Sequence, residues 1–389
     1  MIYLNNAATS WPKPERVYRL ADQVLREESG NPGRSDHALS IAARRRIEET
    51  RQLLARFFNA PVPGRIVFTL NATDALNLAI KGLILEGLYK GERVHVVTSS
   101  MEHNSVVRPL EALRKHGLVY SKLATCPING ANPDDVKAAI RKDTKLVVWG
   151  HVSNVSGTVN PIAEIGALCH ERNIPFLVDA AQSAGTMPID VQAMGLGLLA
   201  FPGHKGLFGS QGTGGLYIGE GLAPIPLREG GTGSHSEDSV QPEDLPDRYE
   251  SGTMNVAGIA ALGEGVRFLT EQGIENVEKH EADLASRLID GIRDLPGLKI
   301  HGPPGGPYRK GIVSITFDKL APTEAALILE NSFDIAVRPG LHCAPDAHRT
   351  LGTLSLGGTL RIGIGYLNTK EDIDRCVEAL SIILKGKNA

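Results

Sequence analysis

Five short apolar runs in this chain each end at a polar residue capable of chemistry. IPFLVDAAQ places Asp179 at the end of one run, with Gln182 one turn later, and GLLAFPGHK places His204 and Lys205 just past another. RIVFTLNATDALN carries Thr73 where a helix should open; VVTSSMEHNS sets His103, and VVWGHVSN sets Asn154, past two further runs. Each also has a purely structural reading. Asp after a strand is commonly a turn or cap residue, Thr73 can cap its helix, and a lone histidine is commonly hydrogen-bonded structure. Together on one sheet edge, they would instead make a site. Cys343 stands apart, in RPGLHCAP, where Gly340 and two prolines predict a loop. It can be read as a filler thiol, a metal ligand or a nucleophile. With only His342 and His348 beside it, the donor set is too small for a convincing zinc site, and no metal is expected.

The elements that must position these residues follow from periodicity. RIVFTL (65–70), RVHVVTS (93–99), KLVVWG (145–150), IPFLVDA (174–180) and GLLAFP (197–202) read as buried strands. Between them, ATDALNLAIKGLI, NSVVRPLEALRKH and PIAEIGALCHERN show helical spacing of apolar residues. Alternation of this kind predicts an α/β fold with a mostly parallel sheet flanked by helices on both faces. Ligands in such sheets bind beyond the carboxyl ends of the strands, where helix N-termini also point. Residues 220–255 read as a long loop, and 256–295 as helical. Strands near 311–317 and 334–338, the run LRIGIGY and a last helix from about 370 make a smaller α+β domain. The expected division is a large domain over 15–260 and a small one from 1–14 and 261–389.

Composition narrows the classes. Of 389 residues, 42% are hydrophobic and 22% charged, as in ordinary globular proteins, and the net charge of -3 gives no bulk attraction to nucleic acid or an anionic membrane. Arg44–Arg46 precede Ile47–Glu48–Glu49, which predicts a solvated, ion-paired helix face. No apolar run approaches the roughly 18 residues of a membrane span, and MIYLNNAATSW lacks the pattern of a signal peptide. Four scattered cysteines without a CxxC pair fit a reducing compartment, so a cytoplasmic protein is expected.

One cofactor suits the strand-end set. Pyridoxal 5'-phosphate needs a lysine for a Schiff base, a carboxylate for its pyridine nitrogen, a hydroxyl-bearing helix start for its phosphate and a flat group for its ring. Lys205, Asp179, Thr73 and His103 supply these in turn.

With YLNNAAT (3–9), NATDALN (71–77), MEHN (101–104), HVSNVSGTVNPI (151–162), VDAAQSAG (178–185), GHK (203–205), RYESGTMN (248–255), VRPGLHCAP (337–345) and LRIGIGYLNT (360–369), the chain resembles the cysteine desulfurase and selenocysteine lyase branch of the class V aminotransferases over nearly its whole length. The resemblance implies a fold-type I homodimer with the site at the subunit interface. It makes Lys205 the cofactor lysine, His103 the stacking group and Asp179 the pyridinium partner. Gln182 and Asn154 would contact the ring oxygen, and Thr73 and His204 the phosphate, with Thr253 entering from the partner subunit. Arg361 would take the substrate α-carboxylate, joined by Asn154, Ala7 and Arg34.

The reaction so implied converts L-cysteine to L-alanine, with Cys343 left as a persulfide. Arg338 and His342 are its expected positive neighbours. The short stretch from Cys343 to Arg361 resembles the SUF-type group, implying that an acceptor protein docks to collect the sulfur for iron–sulfur clusters or other sulfur metabolism. Selenocysteine lyase, and a class V lyase or aminotransferase that does not use the cysteine, are the alternatives. Two departures bear on the phosphate: Pro202 and Ala72 stand where hydroxyl residues are usual. Each lost hydrogen bond is worth about 0.5–1.5 kcal/mol. Gly33 replaces a histidine commonly found before Arg34.

Overall fold

The computed structural model describes residues 1–33, 37–234 and 236–388. Its central sheet has seven strands. From edge to edge they are Ile66–Thr69, Gly214–Ile218, Leu198–Pro202, Phe176–Asp179, Thr144–Gly150, His95–Ser99 and Val119–Leu123. Only Gly214–Ile218 runs antiparallel to its neighbours. Successive side chains of a strand point to opposite faces, and both faces are covered. Val147, Trp149, Phe176 and Val178 pack with helices Ala38–Phe57, Ile162–Glu171 and Val256–Gln272; Leu146, Val148 and Leu177 pack with Ala72–Tyr89 and Asn104–Arg114. Burial on both faces is why these strands read as unbroken apolar runs rather than alternating ones.

Two strands of this sheet were not expected. Val119–Leu123 is a half-exposed edge strand with a mixed sequence, VYSKL, so it carries no continuous apolar run. Gly214–Ile218 begins with two glycines, which mask its strand character although all five residues are buried.

A second sheet, antiparallel throughout, has the order Arg338–Gly340, Thr359–Gly363, Ile312–Phe317, Leu298–His301. Helices Ile274–Ile292, Pro322–Phe333 and Lys370–Asn388 accompany it in a separate apolar cluster. The single strand expected at 334–338 is two: Ile335–Ala336 pairs with Ile2–Tyr3, and Arg338–Gly340 joins the small sheet. The single helical stretch over 256–295 is also two helices, broken at Gly273, whose φ of 79° favours glycine. Residue 260 lies inside the first of them, and the buried side chains of that helix belong to the large core. The change of core falls within the second, between Val277 and Leu284.

The 220–255 segment is irregular but anchored. Glu250, whose side chain is covered, takes a two-toothed ion pair from buried Arg51, at 2.8 and 2.9 Å, and accepts from the Phe68 backbone N–H at 2.6 Å. That places the loop against the sheet edge, where periodicity could not reveal it. Of the basic run, Arg45 pairs with Glu49 on the exposed helix face, whereas Arg46 is largely covered and pairs with Glu28.

Candidate active site

The carboxyl ends of the parallel strands open into one cavity of about 700 Å³, including its mouth. Thr73, His103, Asn154, Asp179, Gln182, His204 and Lys205 all line it, so the structure brings together every strand-end residue singled out by sequence. Pro202 and Ala72 line it too. The capping role open to Thr73 belongs to Asn71, whose side-chain oxygen accepts from Asp74 N–H at 2.9 Å. Thr73 is left with its hydroxyl on Ser105 Oγ, 2.7 Å away. His103 caps the next helix: its Nδ1 accepts from Ser105 N–H at 3.1 Å.

Charge inside the cavity is set mainly by burial. Burial pulls the Lys205 amine down to about 8, against the upward pull of Asp179, and Arg361 and Arg338 lower it further. Burial raises the Asp179 carboxyl, while the Ala181 N–H and Lys205 hold it down. His103 and His204 are both pushed down to about 4, by burial first and Lys205 second, so both rings are neutral at pH 7. His204 Nδ1 meets Thr9 Oγ1 at 3.0 Å, and Gln182 donates to the Ala7 carbonyl at 2.9 Å. Ala7 therefore faces this region through its backbone.

The small sheet contributes the remaining pieces. Arg361 and Arg338 stand opposite one another in register on adjacent strands. Arg361 is buried, donates one bond to the Asn154 carbonyl at 2.9 Å, and has no partner for its Nε or its second terminal nitrogen. Burial lowers it to about 9, still protonated at neutral pH. Two unpaired donors on a buried cation are costly unless an anion completes them.

Cys343 lies on the turn before helix Pro345–Leu351. It is exposed, and both it and His342 have left-handed backbones, with φ of 57° and 49°. The turn is tied to the cavity wall at Asn154 and to the neighbouring helix start at Asn104. Asn104 N–H donates to the Cys343 carbonyl and Asn154 Nδ2 to the His342 carbonyl, both at 2.8 Å. Arg338 approaches Cys343 Sγ at 3.6 Å.

One expectation about this loop is overturned. His342 does not bring positive charge to the thiol, because burial, then Arg361, drives it down to about 2. It is a neutral ring, bonded through Nε2 to Thr359 Oγ1 at 3.0 Å and tilted against His348. Among the described residues, no group of three or more His, Cys, Asp or Glu could hold a metal. Nor is any helix there long and apolar enough to cross a membrane. Thr253 is exposed on the loop before helix Val256–Gln272 and does not line the cavity of its own chain. Arg34 lies outside the described residues.

A profile of the family described as Aminotransferase class-V matches residues 2–376. The chain belongs to that family. Among the similar members is a protein of Methanothermobacter thermautotrophicus named "Probable cysteine desulfurase", 36% identical over 98% of this chain and 94% of that protein. Another is the "Cysteine desulfurase" of Haloferax volcanii, 33% identical over 98% of this chain and 88% of that protein. The solved apo structure of a cysteine desulfurase from Thermococcus onnurineus NA1 superposes with a TM-score of 0.91 at 33% identity. It covers 99% of this chain and 95% of that one.

Sequence reasoning passed over several polar residues of the cavity, Glu102 and Ser105 among them. Both lie in MEHNS, where only His103 drew notice. Glu102 is buried and accepts from Ser99 Oγ and, at 3.2 Å, from Gly150 N–H. Burial raises its carboxyl from 4.5 to about 8, with Asp179 adding to the rise. Between those two values the folded state binds more protons than the unfolded one. The stability this group supplies is therefore complete below the unfolded value and declines as pH rises toward 8. Glu102→Gln should flatten that part of the decline by a few kcal/mol, measured by urea unfolding of both proteins at about pH 5 and about pH 8.

Proposed function

We propose that this member of the class-V aminotransferase family is a pyridoxal 5'-phosphate-dependent cysteine desulfurase that converts L-cysteine to L-alanine and carries the sulfur on Cys343. One observation carries the reading: an exposed thiol on a turn hydrogen-bonded to the wall of the Lys205 cavity, with the half-satisfied Arg361 cation on the adjoining sheet. The names borne by similar proteins point the same way.

The residues present fit the cofactor. A lysine held near 8, a buried carboxylate, a neutral imidazole and a helix start with a hydroxyl share one cavity. When bound, the cofactor supplies an electron sink for the substrate α-carbon. Arg361 orients the substrate by its carboxylate, using the two donor groups that lack partners. Lys205 Nζ, with its lowered pKa, takes and returns the α-proton near neutral pH. Cys343 Sγ, which the Arg338 guanidinium approaches at 3.6 Å, bonds to the substrate sulfur as the carbon–sulfur bond breaks. The product skeleton leaves as alanine and the sulfur stays as a persulfide.

The same reading makes the chain a homodimer in the cytoplasm, with Thr253 and Arg34 serving the partner subunit's site. The division into a large unit over 15–260 and a small one over 1–14 and 261–389 belongs to the same reading, and two separate apolar clusters support a division into two units. Because the Cys343 turn is fastened at both His342 and Cys343, the persulfide cannot travel far, and an acceptor protein collects it. Selenocysteine is the competing substrate. The test is alanine release from L-cysteine and L-selenocysteine by protein supplied with cofactor and a thiol reductant. Turnover of L-cysteine with one persulfide on Cys343, found by mass spectrometry, is the expected result; alanine from selenocysteine alone overturns it.

A further inference from the structure

Cys343 sits in a turn that its own residues do not favour. The chain reverses over residues 341–344, closed by the Ala344 N–H on the Leu341 carbonyl at 2.9 Å. The two central residues, His342 and Cys343, have φ of 49° and 57°. Positive φ at both central positions is the pattern of a type I′ turn, which normally takes asparagine or glycine. A histidine and a cysteine keep it only where the surroundings fix the backbone from outside.

Two ties do so. The Cys343 carbonyl accepts from the backbone N–H of Asn104, and the His342 carbonyl from the Asn154 side chain, each at 2.8 Å. Asn154 is 8% exposed and lines the Lys205 cavity, and its own carbonyl takes the Arg361 guanidinium at 2.9 Å. A primary amide nitrogen carries two hydrogens, and the amide oxygen accepts. With one hydrogen on the His342 carbonyl, Asn154 has the other hydrogen and its Oδ1 to offer the cavity. One planar group then relates the turn that carries the thiol to the cavity that receives the substrate.

We propose that Asn154 is a positioning residue for Cys343: its carboxamide latches the strained turn and so sets where Sγ meets the substrate sulfur. This assignment rests on the cysteine desulfurase reading above and deepens it. It adds a task to the cofactor and substrate contacts expected of the same residue. Asn154 acts on Sγ through the His342 backbone rather than by touching the sulfur. A misplacement of about 1 Å costs on the order of 10²-fold in a step that must bring two atoms into contact.

Two measurements on Asn154→Ala test it. In cofactor-free protein, amide hydrogen–deuterium exchange over residues 341–344 should accelerate about three- to tenfold, as one lost hydrogen bond predicts. Helix Val256–Gln272 should stay as protected as in the parent. In protein saturated with pyridoxal 5'-phosphate, two rates are compared. Exchange of the L-alanine α-proton with deuterated water reports Lys205 and Arg361 without Cys343. Single-turnover persulfide formation from L-cysteine, followed by mass spectrometry, needs the thiol as well. Persulfide formation should slow about ten- to hundredfold more than α-proton exchange. Asn154→Ser, whose hydroxyl is too short to reach the His342 carbonyl, should do the same. Unchanged amide exchange over residues 341–344, or equal slowing of the two rates, overturns the assignment. If neither variant folds, Asn154 holds the fold rather than the thiol, which also overturns it. A parent that takes up no cofactor and exchanges no α-proton brings down the functional reading and the assignment with it. A parent that does both leaves that reading standing whatever the variants show.

Discussion

Replacing Lys205 by alanine should abolish turnover and leave no covalently trapped cofactor. Borohydride treatment of the parent protein is expected to fix pyridoxal 5'-phosphate to one lysine, found by peptide mapping at residue 205; in Lys205→Ala no peptide should carry it. The rate of alanine release should fall by at least the roughly 10²–10⁴-fold typical of a positioned proton-transfer group. The physical basis is the environment of the amine. Burial and two nearby arginines lower it to about 8, so a useful fraction is unprotonated at neutral pH. Lys205→Arg sharpens the point, since a guanidinium keeps its charge and does not deprotonate near pH 7. It should be as inactive as the alanine variant. A Lys205→Ala protein that still releases alanine from L-cysteine at the parent rate would show that the chemistry lies elsewhere.

Cys343→Ser is the second decisive change. The expected outcome is normal cofactor uptake and visible spectrum, with alanine release from L-cysteine reduced by at least about 10²-fold. A serine hydroxyl is a far poorer nucleophile toward sulfur than a cysteine sulfur, so it cannot take over the substrate sulfur. The two variants separate the roles: loss of Lys205 removes cofactor attachment and proton transfer, while loss of Cys343 removes only the sulfur acceptor. Selenocysteine adds a control, because a carbon–selenium bond is weaker and its leaving group better, so that reaction depends less on a nucleophile. Parent-level cysteine turnover in Cys343→Ser sinks the desulfurase mechanism even if the cofactor is bound.

Much of the cavity was legible because one rule links chain order to position. In a mostly parallel sheet, a polar residue just past an apolar run must lie at the carboxyl edge. Asp179, His103, Asn154 and Lys205 all satisfy that rule and meet in one cavity. Glu102 and Ser105 flank His103 in the same stretch, but nothing in their spacing separates a cavity wall from a surface turn. The strand Val119–Leu123 escaped notice because an edge strand half in solvent need not be apolar.

The chain order by itself determined the α/β architecture, the strand-end residues and the loop that holds Cys343, since each follows from local periodicity and from glycine and proline placement. Only the tertiary structure decided their electrostatics. It showed His342 neutral rather than cationic, because burial beside Arg361 disfavours a second charge. It paired Arg338 with Arg361 across two strands distant in sequence, and left two nitrogens of Arg361 without a partner. It also joined Thr73, Ser105 and His103 into one string of hydrogen bonds between two helix starts. Desolvation and hydrogen bonding depend on what lies within a few ångströms in space, and sequence spacing does not contain that distance.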